Sequence, residues 1–127
     1  MLDPSIKDLA QGPNLGTVSF LLPNGQIATH MMWVDADDDH MIFNTEVHRA
    51  KFQAIEQNPQ VTMTVIDHTN PYRYAEVRGR VVSTERGQAA RDHIDALAHR
   101  YTGAPYAMQV ESERVIVRVV PERQRPA

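Results

Sequence analysis

Six short runs of apolar and β-branched residues, each closed by a turn sequence, constrain this chain more than anything else in it. They are Gly16 to Leu22, Gln26 to Asp35, His40 to Thr45, Gln60 to Ile66, Tyr72 to Ser83 and Arg114 to Val120. Such residues suit a pleated, half-buried surface, and the Gly, Pro, Asn and Asp between them supply turn dihedrals. Asn24-Gly25, between the first two runs, is a strong hairpin signal. The second run places Ile27, Thr29, Met31 and Trp33 on one face and Ala28, His30, Met32 and Val34 on the other. Apolar groups on both faces predict a strand covered on both sides, with His30 inside a central strand. Asp35 to Asp39 reads as a polar turn.

Two segments carry the helical period instead. Val47, Ala50, Ala54 and Ile55 recur between Glu46 and about Gln57, with Thr45 placed to cap the start and Asn58-Pro59 to end it. Ala90, Ile94, Leu97, Ala98 and Tyr101 fall at i, i+4, i+7, i+8 and i+11, and Gly103 stands where a C-terminal cap belongs. Hairpin-linked strands interrupted by two helices predict a mainly β fold, a small antiparallel barrel with helices at its ends or seam. The 127 residues suffice for one domain, 1–127, with 1–11 as an N-terminal extension and 122–127 as a C-terminal tail.

Composition removes several functions. With no cysteine, a disulfide scaffold, a thiolate zinc site, an iron–sulfur cluster and a cysteine nucleophile are excluded. A formal net charge of -3 argues against a dedicated nucleic-acid binder. Met1 to Gln11 has no apolar signal-peptide core and no run of eighteen apolar residues exists, so a cytoplasmic protein without a membrane span is expected. Neither a Gly-x-Ser-x-Gly elbow, a GxGxxG fingerprint, a P-loop nor an HExxH pair occurs, and no metal site is expected.

The segment Asn44 to Lys51 is the most informative for chemistry. There a strand runs into a helix whose first turns carry Arg49 and Lys51. Helix N-termini offer free N–H groups and partial positive charge to an anion. Lys51 falls beside the apolar stripe, so it either reaches a bound phosphate or snorkels to solvent. Tyr72-Arg73-Tyr74, after a turn, is suited either to stack on a flat ligand or to pack against a second subunit.

The order of Gly12-Pro13-Asn14, Asn24-Gly25, Trp33, Phe43-Asn44-Thr45, Arg49-x-Lys51, Asn58-Pro59, Asn70 to Tyr74, Arg78-Gly79, His93 to Leu97 and Arg100-Tyr101 with Gly103 resembles the pyridoxamine-phosphate-oxidase-like split barrel family. More narrowly, it is similar to the actinobacterial flavin/deazaflavin oxidoreductases that bind coenzyme F420. The resemblance spans about residues 12 to 122. It implies a homodimer of six-stranded antiparallel split β-barrels with two helices, and a cofactor at the subunit interface. The cofactor is F420, or alternatively FMN. Arg49 and Lys51 would hold its phosphate. Thr29, His30, Met31, Met32 and Trp33 would line its ring, Asn44 and Thr45 would add polar contacts, and Tyr72, Arg73 and Tyr74 would approach from the partner subunit. Ile27, His30 and Met31 stand where the family often has Pro, Thr and Pro, and the helix lacks basic residues at Gln53, Glu56 and Gln57. The implied activity is hydride transfer from reduced F420 to an unsaturated or quinone-like small molecule. The alternatives are a non-catalytic F420-, flavin- or haem-binding protein and an FMN-dependent oxidase of the pyridoxamine-phosphate type. No side chain stands out as the catalytic acid, the candidates being His30, Tyr72, Tyr74 and solvent.

Overall fold

All of the predicted strands pair, in the computed structural model of residues 1–127, into one antiparallel sheet with the order β2-β1-β5-β6-β7-β4-β3. The strands are β1 (Leu15–Leu21), β2 (Ile27–Trp33), β3 (Asp35–Ala36), β4 (Met41–Glu46), β5 (Gln60–Ile66), β6 (Tyr74–Arg86) and β7 (Arg114–Arg125). Three helices accompany them, α1 (Pro4–Gln11), α2 (Ala50–Gln57) and α3 (Gln88–Thr102). The count is therefore seven strands and three helices, where six and two were expected. The added strand is β3, two residues of the supposed acidic turn that pair with Ile42 and Met41 of β4.

The added helix is α1, inside the stretch read as an extension. Asp3 caps it by accepting from the Ser5 amide at 2.9 Å, and Pro4 occupies its first turn, where a missing N–H costs nothing. Leu2, Ile6, Leu9 and Ala10 repeat at i, i+4, i+7 and i+8 and are all buried. They join Val18, Phe20, Phe43, Phe52, Met63, Val77 and Val117 in one 21-residue core. At the other end, β7 extends to Arg125 through much of the expected tail.

Two expectations fail for reasons of pairing. The second helix begins at Ala50, with Arg49 as an N-cap that makes no side-chain capping bond, rather than at Glu46 behind a Thr45 cap. Thr45 and Glu46 instead complete β4, opposite Val115 and Arg114 of β7. In addition, β2 is an edge strand with no fully buried residue, so it is not covered on both sides and His30 is not in a central strand. Ile27 and Met31 are 73% and 66% exposed. The third helix matches its periodicity, and Gly103 closes it in the left-handed region at φ 78°.

The two halves of the sheet join along β6 and β7, where the register shifts at Arg78/Gly79 and Val81/Ser83. Gly79 faces Pro121, which has no N–H to donate, and a bulge absorbs the break. A Cβ on Gly79 would lie 2.2 Å from the Val120 carbonyl oxygen, a collision with backbone. Gly79→Ala is expected to cost about 3 kcal/mol, the upper end for overpacking. Chemical denaturation checks this, and a variant within 0.5 kcal/mol of the parent, roughly the spread of neutral surface changes, contradicts it.

Candidate functional site

Where β4 ends and α2 begins, the chain leaves a cleft of about 380 Å³. Met31, Met32 and Trp33 of β2, Ile94 and Leu97 of α3, and Leu15 form its apolar walls. Asn44 and Thr45 of β4, Arg49 and Lys51 at the start of α2, and Arg114 of β7 supply its polar side. Tyr106 and Met108 reach it from the segment between α3 and β7. One side of the cleft is thus apolar and the other cationic. Its chemistry suits an apolar group bearing an anionic tail.

The polar side is built on buried partners. Asn44 donates its amide to the Ala90 carbonyl at 2.9 Å and to His93 Nδ1 at 3.0 Å. Its Oδ1 accepts from Arg114 Nε at 2.7 Å. Since Nδ1 of His93 accepts, its Nε2 carries the proton and donates to Asp35 Oδ2 at 3.0 Å. Arg100 lies 3.0 Å from the other Asp35 oxygen. Burial pushes the Asp35 carboxyl up, but the bonds from His93, the Ala36 amide and Arg100 outweigh it and hold it below the ordinary value.

Glu46, 2% exposed, accepts from the amides of Glu111 and Ser112 at 2.8 and 2.7 Å and from the Ser112 hydroxyl at 3.2 Å. Its second oxygen is 3.6 Å from Arg114 Nη1. Burial raises its pKa, yet these donors and the Arg114 charge bring it below the ordinary 4.5.

Arg49 and Lys51 have no carboxylate partner, so only Glu46 offsets the three cations of the cleft. Burial, then Arg49, then Arg114 push the Lys51 ammonium below its ordinary 10.5. In the free protein the unfolded chain binds more protons than the folded one between the lowered value and 10.5, so this group adds stability as pH rises there. A bound anion favours the charged form and opposes the shift. The affinity for inorganic phosphate is therefore expected to hold from neutral pH upward, then fall as pH passes through the lowered Lys51 value, before 10.5. Lys51→Arg, which keeps its charge, should remove that alkaline fall. Calorimetric titration across this range checks it; a fall of equal size in both proteins contradicts it.

The structure divides the predicted site residues into two groups. Met31, Met32, Trp33, Asn44, Thr45, Arg49 and Lys51 share the cleft. Trp33 is braced by Tyr101, stacked at 5.3 Å and 9°. Thr29 lies outside the cleft, its hydroxyl 2.8 Å from that of Ser19. His30 packs edge-on against Phe20 at 5.1 Å, and burial, Lys51 and Arg49 lower its pKa. Tyr72, Arg73 and Tyr74 stand apart from the cleft. Tyr72 is 91% exposed, Arg73 pairs with Asp67 at 3.2 Å, and Tyr74 lies under Arg125 at 4.0 Å.

Arg114, Tyr106 and Met108 were not anticipated. For Arg114 the available signal was a charge at the end of one apolar run, Glu46, and another at the start of a second, Arg114, which becomes meaningful only once β4 and β7 are known to pair.

A family model described as pyridoxamine 5'-phosphate oxidase matches residues 2–126. Among solved structures, an F420 reductase is 30% identical with a TM-score of 0.83, each chain being 98% covered. A conserved hypothetical protein from Mycobacterium tuberculosis is 24% identical with a TM-score of 0.70, over 98% of this chain and 82% of that one. A pyridoxamine 5'-phosphate oxidase-related, FMN binding protein from Nostoc punctiforme is 15% identical with a TM-score of 0.63, over 88% and 72%. The last two likenesses concern the fold alone. No curated protein matches the sequence.

Proposed function

The chain belongs to the pyridoxamine 5'-phosphate oxidase family, and on that premise we propose that its cleft binds coenzyme F420 and serves hydride transfer to an unsaturated or quinone-like small molecule. One observation carries the reading. The unpaired cations Arg49 and Lys51 stand at one side of a cleft whose other walls are Met31, Met32, Trp33, Ile94 and Leu97. A flat ring with a phosphate tail fits that division, and the F420 reductase covering 98% of this chain supports the choice of deazaflavin.

Within that reading, Arg49 offers a planar fork to phosphate oxygens and Lys51 a point charge, next to the free N–H groups of α2. Trp33, held by its stack on Tyr101, fixes an apolar wall for the ring. When bound and reduced, the deazaflavin supplies the hydride; position and electrostatics come from the protein. The protein works as a homodimer in this proposal, because β2 leaves Ile27 and Met31 exposed on a sheet edge and Tyr72 projects, 91% exposed, from the loop between β5 and β6. Tyr72, Arg73 and Tyr74 then approach the partner's cleft.

Titration of purified protein with F420 and FMN in parallel tests the proposal, followed by single-turnover oxidation of the reduced, tighter-binding cofactor. F420 is expected to bind more tightly. FMN copurifying stoichiometrically and resisting displacement by F420 would overturn the assignment.

A further inference from the structure

The cleft contains a guanidinium that a phosphate site does not explain. Arg114 is 7% exposed, yet only one of its five N–H groups has a partner within hydrogen-bond distance, Nε to Asn44 Oδ1 at 2.7 Å. Glu46 balances its charge from 3.6 Å, beyond a hydrogen bond. Buried guanidinium donors are costly to leave unmade. No side-chain nitrogen in the chain is both sealed from solvent and unpartnered, so the open Arg114 N–H groups are reached from the cleft that it lines.

Its charge is felt by Lys51, but its contacts differ from those of Arg49 and Lys51. The bond to Asn44 draws the guanidinium toward α3, where Asn44 is itself anchored on Ala90 and His93. Asp35 holds the His93 proton on Nε2, leaving Nδ1 to accept from Asn44. Tyr106 covers the guanidinium at 5.3 Å and lies edge-on to Trp33 at 6.2 Å. Arg114 therefore stands where the polar side of the cleft meets Tyr106 and the Asn44 anchor on α3. The two α2 cations, which have no carboxylate, already exceed the single charge of a phosphodiester.

We propose that Arg114 is a separate ligand-binding cation that donates to the acceptor edge of the bound ring and favours negative charge there in the reduced form, with Asp35, His93 and Asn44 as its positioning residues. This rests on the cofactor reading above. No proton or electron passes through Arg114; its role is to bind the reduced ring more tightly than the oxidised one.

The test uses full-length protein, F420, and the phosphate-free deazaflavin riboside that forms its core. Arg114→Met should weaken F420 and the riboside by the same factor, tenfold or more, whereas Lys51→Met should weaken F420 and leave the riboside unchanged. The reduced riboside should lose about tenfold more affinity than the oxidised one in Arg114→Met. For a two-electron couple that ratio lowers the midpoint potential of the bound ring by about 30 mV. His93→Phe, which removes the acceptor for Asn44, should shift the potential in the same direction by less.

Loss of F420 affinity alone in Arg114→Met would make it a phosphate ligand and overturn the proposal. Should that variant not fold, Arg114→Lys keeps the charge but loses the Nε bond. Unchanged riboside affinity and potential in both Arg114→Lys and His93→Phe would then overturn it. If the unsubstituted protein binds neither F420 nor the riboside, the cofactor reading itself fails; binding with insensitive variants removes only the role of Arg114.

Discussion

Glu46→Ala is expected to destabilise the protein by about 3–5 kcal/mol, the range for removing one partner of a buried ion pair. Three donors lose their acceptor at once: the amides of Glu111 and Ser112 and the Ser112 hydroxyl. Arg114, 7% exposed, loses the carboxylate 3.6 Å away. The damage spreads beyond β4, because Glu46 ties down the end of the segment that carries Tyr106 and Met108 into the cleft. Glu46→Gln keeps an oxygen for the amides and should cost less, about 1.5–3 kcal/mol for hydrogen bonds to a charged group. The pH dependence separates charge from shape. The folded-state pKa of Glu46 lies below its ordinary 4.5, so its stabilisation is complete above 4.5 and is lost as pH falls through the folded value. Denaturation curves across the acid range should be flatter for Glu46→Gln than for the parent. Equal stability of Glu46→Ala and the parent at neutral pH would remove the carboxylate from the structural account.

Arg49→Ala and Lys51→Ala should each weaken cofactor binding by roughly ten- to a hundredfold, equivalent to about 1.5–3 kcal/mol for a charge-assisted hydrogen bond. Both residues face the cleft without a carboxylate partner, so their hydrogen-bonding capacity is free for a ligand. The hydride step at saturating cofactor should change little, since the phosphate lies away from the reacting ring. Folding should survive in both variants. Arg49 is an exposed N-cap without a capping bond, and Lys51 becomes easier to bury once neutral. Lys51→Ala is expected to melt at or slightly above the parent temperature, because burial and two neighbouring cations oppose its charge. Affinity and melting temperature measured together decide the matter: unchanged affinity in both variants would make these residues ordinary solvated helix charges.

Local signals in the sequence were enough for β5, whose alternation over Gln60–Ile66 coincides with the strand, and for α3, whose apolar stripe and Gly103 set its buried face and its end. They were also enough to place Arg49 and Lys51 beside a strand-to-helix junction. Asp3, Pro4 and the spacing of Leu2, Ile6, Leu9 and Ala10 carried an equally local message for α1, which a charged N-terminal stretch obscured. The start of α2 was different. Thr45 has the chemistry of a helix cap, but pairing with Val115 keeps it in β4, because a ladder bond in the buried sheet outweighs a capping preference. Whether β2 lies at the centre or the edge depends on which strands flank it, and no feature within its seven residues encodes that. The cleft goes further still. Asn44 and Arg114 are 70 positions apart, Asn44 and His93 are 49 apart, and Asp35 and His93 are 58 apart. Propensity and periodicity act over a few residues, whereas these contacts follow from sheet register and helix packing, so the sequence alone determined six of the strands, the bodies of α2 and α3 and the α2 cations, and the tertiary structure decided that Arg114 and Tyr106 join them.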